Sequence, residues 1–338
     1  MLNLSQNECF VWVTNSTVTA LTPTAIALGN FDGLHRGHQR VIQPILHQQS
    51  TSPNHSTVVT FNPHPQEFFT GQPRALLTPL EEKVSQLRSL GVQQLVLLPF
   101  DRELAALTPQ EFVWQILVQQ LHVQSISVGQ DFRFGRHRSG TAGDLQLIAA
   151  QYNIPVTIVP LEICTEDTSD GTHLRISSSA IRQNLESGNI SQANHLLGRP
   201  YQLRGTVVEG KQLGRTIGFP TANLQLPTEK FLPRQGVYAV YVFIEKQTID
   251  TDNQTTASTL LGVMNIGNRP TVNGTQPTIE VHLLDWSGDL YGKTLTVQLK
   301  HFLRPEQKFP DLDALKAQIQ LDSMTAREVL NYEHETKN

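Results

Sequence analysis

Cysteine is scarce in this chain, which has only Cys9 and Cys164 among its 338 residues. Two thiols exclude a disulfide framework and a cysteine-rich metal ribbon, and so few thiols are typical of a reducing compartment. The sequence also lacks any apolar run near the roughly 20 residues of a membrane span, and its N-terminus lacks the pattern of a secretory signal. We therefore expect a cytoplasmic protein without a membrane partner.

Clusters of basic residues are missing as well. The formal net charge is −4, with 11 Lys and Arg against 15 Asp and Glu in residues 1–186, and 15 of each in residues 187–338. Proteins that bind nucleic acids normally concentrate Lys and Arg on a phosphate-neutralising surface. We therefore expect no nucleic-acid partner, and a small charged ligand fits this balance better.

The first half of the chain shows the alternating strand and helix pattern of an α/β domain. Apolar segments typical of buried strands, such as 24–31 and 56–61, alternate with amphipathic segments typical of helices, such as 36–49 and 79–91. This alternation predicts a Rossmann-like, doubly wound parallel sheet. In such sheets ligands bind at the carboxyl ends of the strands.

The second half has a period of two, which predicts an antiparallel barrel or sandwich. Its predicted strands are 237–243, 260–267, 278–285 and 295–302, and a helix with Leu312, Leu315 and Ile319 on one face is predicted at the end. We place the domains at 1–186 and 201–338, joined by a linker over 187–200. The polar stretch 246–259 is interpreted as an exposed insertion.

The densest motif is GNFDGLHRGHQR (29–40), where a predicted strand runs through a tight turn into a helix. His35 and His38 are three residues apart and share a helical face. Gly33 and Gly37 permit close approach of a phosphate to the backbone, and a helix N-terminus attracts anions. Two alternatives are half of a zinc site, for which no third ligand follows at metal spacing, and simple helix capping.

Three further segments of the first half could complete a nucleotide site. RISSSAIRQ (175–183) supplies hydroxyl groups and arginines at a predicted helix start, which suits a triphosphate. FNPHPQEFF (61–69) and VGQDFRFG (128–135) each follow a predicted strand and contain aromatic rings on which a planar ligand could stack. Helix capping by the serines and ordinary core packing of the rings are the alternatives.

The second half contains a glycine-rich loop, VVEGKQLGRTIGFPTAN (207–223), that could wrap phosphates with backbone N–H groups. Thr221 and Asn223 are two apart, so they share a face in an extended segment, and their oxygens suit Mg²⁺. A plain Gly/Pro turn is the alternative. GDLYGKT (288–294) is rejected as a Walker A loop, because its glycines are too close and a strand pattern follows it.

Glu280 alternates with apolar residues in TIEVHLLD (278–285), so it faces away from the predicted core. Such a glutamate can simply be solvated. Phosphorylation of an alcohol, however, requires removal of a proton, and a carboxylate within hydrogen-bonding reach is a suitable base.

In this order, GNFDGLHRGH, TFNPHP, VGQDFRFG, ISSSAIR, GRTIGFPTAN, IGNRPTVNG, IEVHLLD and GDLYGK resemble the bacterial bifunctional riboflavin kinase/FAD synthetase family. The N-terminal module resembles HxGH-type nucleotidyltransferases. The resemblance covers nearly the whole chain, and it implies a six-stranded antiparallel β-barrel with a terminal helix in the second half. Ser179 stands where relatives often carry threonine, which also supplies a hydroxyl.

The resemblance implies two ATP-dependent activities that convert riboflavin to FMN and FMN to FAD, with Mg²⁺ held by Thr221 and Asn223. The implied catalytic residues are Glu280, as the base of the kinase, with His35, His38 and Arg182 for adenylyl transfer. The implied ATP and phosphate contacts are Gly29, Phe31, Asp32, Gly33, Gly37, Ser177, Ser178, Ser179, Gly210, Gly214, Arg215 and Gly218. The implied flavin contacts are His64, Phe69, Asp131 and Phe134.

Two other functions are compatible with these motifs. One is a different nucleotidyltransferase, such as a cytidylyltransferase, whose barrel only binds substrate; the ability to use CTP rather than ATP would identify it. The other is a flavin-binding or sensory protein without turnover. The glycine loop and the PTAN segment of the second half argue against the first, and the full set of candidate phosphate and metal groups argues against the second.

Overall fold

The computed structural model describes residues 10–46, 54–164, 174–210, 214, 217–245, 259–271 and 274–335. The chain divides into two compact units, Met1–Ser178 and Ser179–Asn338. Among the described helices, none combines the length and hydropathy needed to cross a membrane.

The first unit is built on a six-stranded parallel sheet, as the alternating pattern predicts. Its strands are β1 (Trp12–Thr14), β2 (Thr24–Leu28), β3 (His55–Asn62), β4 (Gln94–Pro99), β5 (Val123–Gly129) and β8 (Val156–Val159), in the order β1-β4-β3-β2-β5-β8. Two short antiparallel pairs are β6 (Arg133–Phe134) with β7 (Gly140–Thr141), and β9 (Ile163–Cys164) with β10 (Leu174–Arg175). The strand order reverses on either side of β2, so β2 ends at a topological switch point, where open sheets of this kind bind ligands.

Helices connect the strands of this sheet. They are α1 (Arg36–Leu46), α2 (Pro65–Thr70), α3 (Leu80–Ser89), α4 (Arg102–Ala106), α5 (Pro109–Glu111) continuing as a π-helical segment (Phe112–Gln120), and α6 (Ala142–Ala150). Short 3-10 helices lie at Thr17–Thr19 and Arg136–Arg138.

Two separate apolar cores show that helices cover both faces of the sheet. Along β2, Ala25 and Ala27 pack against α1, whereas Ile26 and Leu28 belong to the core that contains the π-helical segment. Successive side chains of a strand point to opposite faces, so a strand buried on both faces reads as a continuous apolar run. The doubly wound sheet predicted from the sequence is thereby confirmed.

The second unit begins with two helices, α7 (Ser178–Ser187), whose first residue closes the first unit, and α8 (Ile190–Leu197). The units divide after Ser178, whereas the sequence-based boundary is at 186, and the predicted linker 187–200 contains α8. The side chain of Asn194, in α8, bonds to two strands of the barrel that follows. Its Nδ2 donates to the carbonyl of Leu299, and its Oδ1 accepts from the N–H of Tyr201. These bonds fix α8 to the barrel.

Six antiparallel strands then close into a barrel. They are β11 (Tyr201–Val208), β12 (Ala222–Gln225), β13 (Gly236–Ile244), β14 (Leu260–Thr271), β15 (Gly274–Leu283) and β16 (Thr294–Arg304), in the order β11-β12-β15-β14-β13-β16. The six-stranded barrel is therefore confirmed. The segment 246–258 lies outside the described residues.

The terminal helix α9 (Leu312–Glu335) packs on the outside of the barrel. Of the predicted face, Leu315 and Ile319 are half-buried and Leu312 is 62% exposed, and further along the helix Ala326 and Leu330 are buried against Ala239 and Val263. The predicted face was drawn from the first half of the helix, but the barrel wall covers mainly the second half.

Candidate active sites

The loop between β2 and α1 carries the histidine motif at the carboxyl edge of the parallel sheet. Two bonds to β3 hold its start: the N–H of Gly29 donates to the carbonyl of Val59 at 3.2 Å, and the Thr60 hydroxyl donates to the carbonyl of Asn30 at 2.9 Å. The loop is therefore fixed before any ligand arrives.

Asp32 fastens the middle of this loop to the segment that leads into α3. Its Oδ1 accepts the N–H groups of Leu77 at 2.9 Å and Thr78 at 3.2 Å, while the N–H of Gly33 donates to the Thr78 hydroxyl at 2.9 Å. Asp32 is only 4% exposed. These contacts give the Asp32 carboxylate a structural task, and its predicted role as a phosphate contact remains a prediction.

The turn uses unusual backbone conformations. Phe31 (φ 45°) and Leu34 (φ 43°) adopt the left-handed region, as does Gly33 (φ 92°). Such strain in non-glycine residues persists only where the surroundings impose it, and it concentrates at functional sites. At Gly37 a Cβ would lie 3.3 Å from the ring of His35, so glycine leaves room for that imidazole.

His35 and His38 are brought together as a stacked pair. Their ring centroids are 3.6 Å apart with an interplanar angle of 15°. The N–H of His38 donates to Nδ1 of His35 at 3.2 Å, so the neutral His35 ring carries its proton on Nε2. The Phe31 ring meets His38 edge-on at 5.3 Å, and His35 itself is 6% exposed.

The environment keeps His38 neutral. Burial is the main cause that lowers its pKa well below 6.5, and the charges of His35 and Lys83 act in the same direction. Its Nδ1 is enclosed and has no hydrogen-bond partner among the described residues. A buried polar atom without a partner is a natural contact for a ligand. The described residues contain no cluster of three or more His, Cys, Asp or Glu suited to a metal, so the zinc alternative gains no third ligand there.

The serine segment meets the histidine loop through Ser178. Its hydroxyl donates to the carbonyl of Asp32 at 2.7 Å, and Ser177 beside it is half-buried. Ser179 and Arg182 lie further along α7, in the second unit. There the guanidinium of Arg182 lies over the ring of Phe231 at 5.2 Å.

The four predicted flavin contacts have different environments. His64 caps α2 by accepting the N–H of Gln66 at 3.1 Å. Phe69 is 71% exposed, whereas Phe134 is 4% exposed and belongs to the apolar core. The position of Phe134 is the one expected if its ring only packs in the core. Asp131 is exposed and paired with Arg175. Their role as flavin contacts stays a prediction.

In the barrel unit, Gly210 and Gly214 of the glycine-rich segment lie close to Asn223 and Thr221. A Cβ on Gly210 would lie 2.2 Å from Nδ2 of Asn223, and a Cβ on Gly214 would lie 2.2 Å from the carbonyl oxygen of Phe219 and 3.4 Å from Oγ1 of Thr221. Only glycine permits these approaches. The amide of Asn223 therefore lies against the backbone at Gly210, and the hydroxyl of Thr221 lies near the backbone at Gly214.

Gly218 adopts φ +88°, and a Cβ at this position would have no atom within 4 Å, so the glycine serves the turn rather than a close approach. Arg215 lies outside the described residues. The rejected GDLYGKT segment forms a turn before β16, with Gly292 at φ +73°. A strand follows that turn, as expected, whereas a Walker A loop leads into a helix.

Glu280 lies in a row of polar residues across three neighbouring strands. It is directly opposite Asn223 of β12 on one side and Asn265 of β14 on the other. Directly paired residues of antiparallel strands share a face, so these three side chains project on the same side of the barrel wall. Glu280 is half-buried, and Ile279 and Val281 beside it point into the core.

Next to this row is an open groove of about 270 Å³ between the barrel wall and α9, lined by Phe219, His282, Leu284, Gln320, Ser323, Met324 and Arg327. His282 is two residues beyond Glu280, on the same face of β15. Its Nδ1 lies 2.8 Å from the carbonyl oxygen of Pro220, and its ring meets Phe219 edge-on at 5.6 Å. The groove therefore begins at the end of the polar row, and Phe219, Leu284 and Met324 give it an apolar surface.

Three features of these sites were missed in the sequence. Asn265 can be recognised as part of the site only from its pairing with Glu280 in the folded barrel. The groove forms only where α9 packs on the barrel. The third feature is Lys83 on α3, which is 8% exposed. It lies in an ordinary amphipathic pattern, so no signal in the sequence singles it out.

A parallel α/β unit with a histidine-bearing loop at its switch point, followed by a barrel with a glycine-rich segment, is the architecture expected of a two-site transferase that acts on phosphate groups. Comparison with known proteins supports this class. A family model described as FAD synthetase matches residues 18–177, and one described as riboflavin kinase matches residues 197–330.

Named relatives cover nearly the whole chain. Bifunctional riboflavin kinase/FMN adenylyltransferase from Escherichia coli K12 is 43% identical over 90% of this chain and 91% of the relative. The protein of that name from Bacillus subtilis is 35% identical over 90% and 91%. The chain belongs to the bifunctional riboflavin kinase/FMN adenylyltransferase family.

A solved structure shares the complete two-unit fold. It is described as a macrolide-efflux protein from Streptococcus pneumoniae, with a TM-score of 0.78 and 31% identity, and the match covers 94% of this chain and 99% of that one.

Proposed function

We propose that this chain makes FAD from riboflavin in two ATP-dependent steps, one in each unit. The barrel phosphorylates riboflavin to FMN, and the first unit adenylylates FMN to FAD. The observation that supports one activity in each unit is the pairing of Glu280 with Asn223, whose side chain lies against Gly210. Attack by an alcohol requires a base, whereas attack by a phosphate, which is already an anion, does not.

In the kinase step, the 5′-hydroxyl oxygen of riboflavin forms a bond to the γ-phosphorus of ATP, and the bond to the leaving ADP breaks. Glu280 accepts the hydroxyl proton. The half-buried position of Glu280 opposite Asn223, two residues before the groove residue His282, supports this role. We assign the flavin ring to that groove, whose apolar lining suits a planar heterocycle.

Thr221 and Asn223 would hold Mg²⁺ in the barrel. A hydroxyl and an amide oxygen on one face fit a hard cation that keeps several water and phosphate ligands, and the closeness of Gly210 and Gly214 to both side chains puts nucleotide phosphates within reach. When bound, Mg²⁺ supplies charge neutralisation for the transferred phosphoryl group.

In the adenylylation step, a phosphate oxygen of FMN forms a bond to the α-phosphorus of ATP, and the bond to pyrophosphate breaks. His35 and His38 donate hydrogen bonds to the phosphate chain, and the backbone N–H group of the loop at Gly37 adds to them. The stacked, prearranged imidazoles support this role because they need no reorganisation during the reaction. Ser177 and Ser178 border the same loop.

Ser179 and Arg182 retain their predicted roles toward phosphate as part of this proposal, as do the flavin contacts His64, Phe69, Asp131 and Phe134. The low cysteine content supports a cytoplasmic location, where riboflavin, FMN and ATP serve as substrates.

A time course tests the proposal. Purified protein is incubated with riboflavin, ATP and Mg²⁺, and flavins are separated by chromatography. We expect FMN to appear first and FAD to follow. A chain that forms FMN but no FAD, even when supplied with FMN, would contradict the adenylylation step. Replacement of ATP by CTP should stop FAD formation, whereas a product containing cytidine would support a cytidylyltransferase.

A further inference from the structure

A single lysine is buried beside the histidine loop. Lys83 is the sole lysine of Met1–Ser178, and it is 8% exposed in the first turn of α3. An ammonium group is removed from water only at a considerable cost in free energy unless a negative charge compensates it. The position of this charge therefore requires a physical explanation.

The structure fixes Lys83 close to the residues predicted to bind phosphate. Leu77 and Thr78, immediately before α3, are hydrogen-bonded to Asp32 and Gly33 of the loop, so the start of α3 is held next to that loop. The charge of Lys83 acts on His38, and the charge of Asp32 acts on Lys83. The ammonium thus belongs to the surroundings of the histidine pair.

Asp32 does not neutralise this ammonium through direct contact. Among the described residues, no hydrogen bond or ion pair is formed by the side chain of Lys83, and Oδ1 of Asp32 accepts two backbone N–H groups instead. The arginines at the start of α1 differ, because Arg36 and Arg40 both face Glu162 at 3.6 Å. Lys83 is therefore a buried cation beside the histidine pair, on which Asp32 acts through its charge rather than through a hydrogen bond.

We propose that Lys83 contacts the phosphate chain of ATP during adenylyl transfer and stabilises the leaving pyrophosphate. This inference rests on the function proposed for the first unit. As the FMN oxygen bonds to the α-phosphorus and the bond to pyrophosphate breaks, negative charge accumulates on the leaving group, and a fixed ammonium in a site that excludes water stabilises it. Burial lowers the pKa of Lys83 in the free protein, and a bound polyphosphate would oppose that effect.

Steady-state kinetics of the full chain provide the first test. In Lys83→Met we expect kcat/KM for ATP in FMN adenylylation to fall roughly 100-fold or more, while riboflavin phosphorylation stays unchanged. Lys83→Arg should recover part of the loss. Arg88→Met removes an exposed cation from the same helix and should behave as wild type. A wild-type kcat/KM in Lys83→Met would overturn the inference, whereas failure of both wild type and Arg88→Met to form FAD would refute the proposed function itself.

Covalent labelling gives a readout independent of turnover. An acyl-phosphate derivative of ATP transfers its acyl group to a nearby lysine: the amine nitrogen bonds to the acyl carbon, the acyl–oxygen bond breaks, and ATP and a proton leave. We expect mass spectrometry to find the acyl group on Lys83, and free ATP to suppress it. With lysines of the barrel modified as a positive control, an unmodified Lys83 overturns the inference, even where Lys83→Met does not fold.

Discussion

The imidazole of His38 stacks on that of His35 at 3.6 Å and is held there by a hydrogen bond from its own backbone N–H to the partner ring. Two cations at this separation would repel each other strongly. The pair therefore acts through hydrogen-bond donation to phosphate, with at most one positive charge.

Replacement of His38 by asparagine should separate the two activities. The change removes the ring that borders the loop, and we expect FAD formation from FMN to fall by roughly two to three orders of magnitude. Phosphorylation of riboflavin should be unaffected. Initial rates for each step, measured by chromatography with either riboflavin or FMN as substrate, check this.

The control is His122→Asn, because His122 is exposed and has φ 44°, a conformation that asparagine tolerates. It should leave both rates unchanged. Undiminished FAD formation in His38→Asn would remove this histidine from the mechanism.

His38 should also make stability depend on pH. Burial lowers its pKa in the folded protein below 6.5, so below pH 6.5 the unfolded chain binds a proton that the folded chain does not. Stability is therefore lost as the pH falls from about 6.5 toward the lowered pKa, by at most about 1.4 kcal/mol per pH unit. Urea unfolding of wild type and His38→Asn between pH 7.5 and 5.5 checks this. Parallel pH dependences of the two proteins would contradict it.

Local sequence patterns predicted much of this fold because the relevant forces are local. Gly91 ends α3 with φ +84°, as its position after the amphipathic pattern predicts. Contacts between segments far apart in the chain could not be predicted from local patterns. The extended segment that includes Asn223 forms β12 because β11 and β15 pair with it, and α8 is held by bonds to β16 and β11. No spacing within either segment encodes those partners.

The candidate sites divide in the same way. Thr221 and Asn223 could be placed on one face from strand periodicity, and His35 and His38 from helix periodicity. The role of Asp32 as a clamp for the loop, and the burial of Lys83, depend on a contact between segments more than 40 positions apart. Such contacts require the folded chain.

Substitution of Gly210 by alanine should damage only the kinase. The new methyl group would lie 2.2 Å from Nδ2 of Asn223, so either the loop or the asparagine must move. We expect KM for ATP in riboflavin phosphorylation to rise at least tenfold, with FMN adenylylation unchanged.

Gly292→Ala is the matched control in the same barrel. Gly292 has φ +73° and no atom within 4 Å of the added carbon, so alanine introduces backbone strain of about 1 kcal/mol but no collision. It should lower the unfolding temperature slightly and leave KM unchanged. Equal kinase defects in the two variants would show that backbone strain, rather than displacement of Asn223, is responsible.

Glu280→Gln tests the base directly. Glutamine keeps the size of the side chain and its place opposite Asn223 and Asn265, but it cannot accept the hydroxyl proton of riboflavin. We expect kcat for FMN formation to fall by about 10²–10⁴, with little change in KM for ATP because the glycine loop is untouched. FMN adenylylation should continue at the wild-type rate. Glu229→Gln, an exposed change in the same unit, should have neither effect. If Glu280→Gln instead raised KM and spared kcat, the carboxylate would position substrate rather than remove its proton.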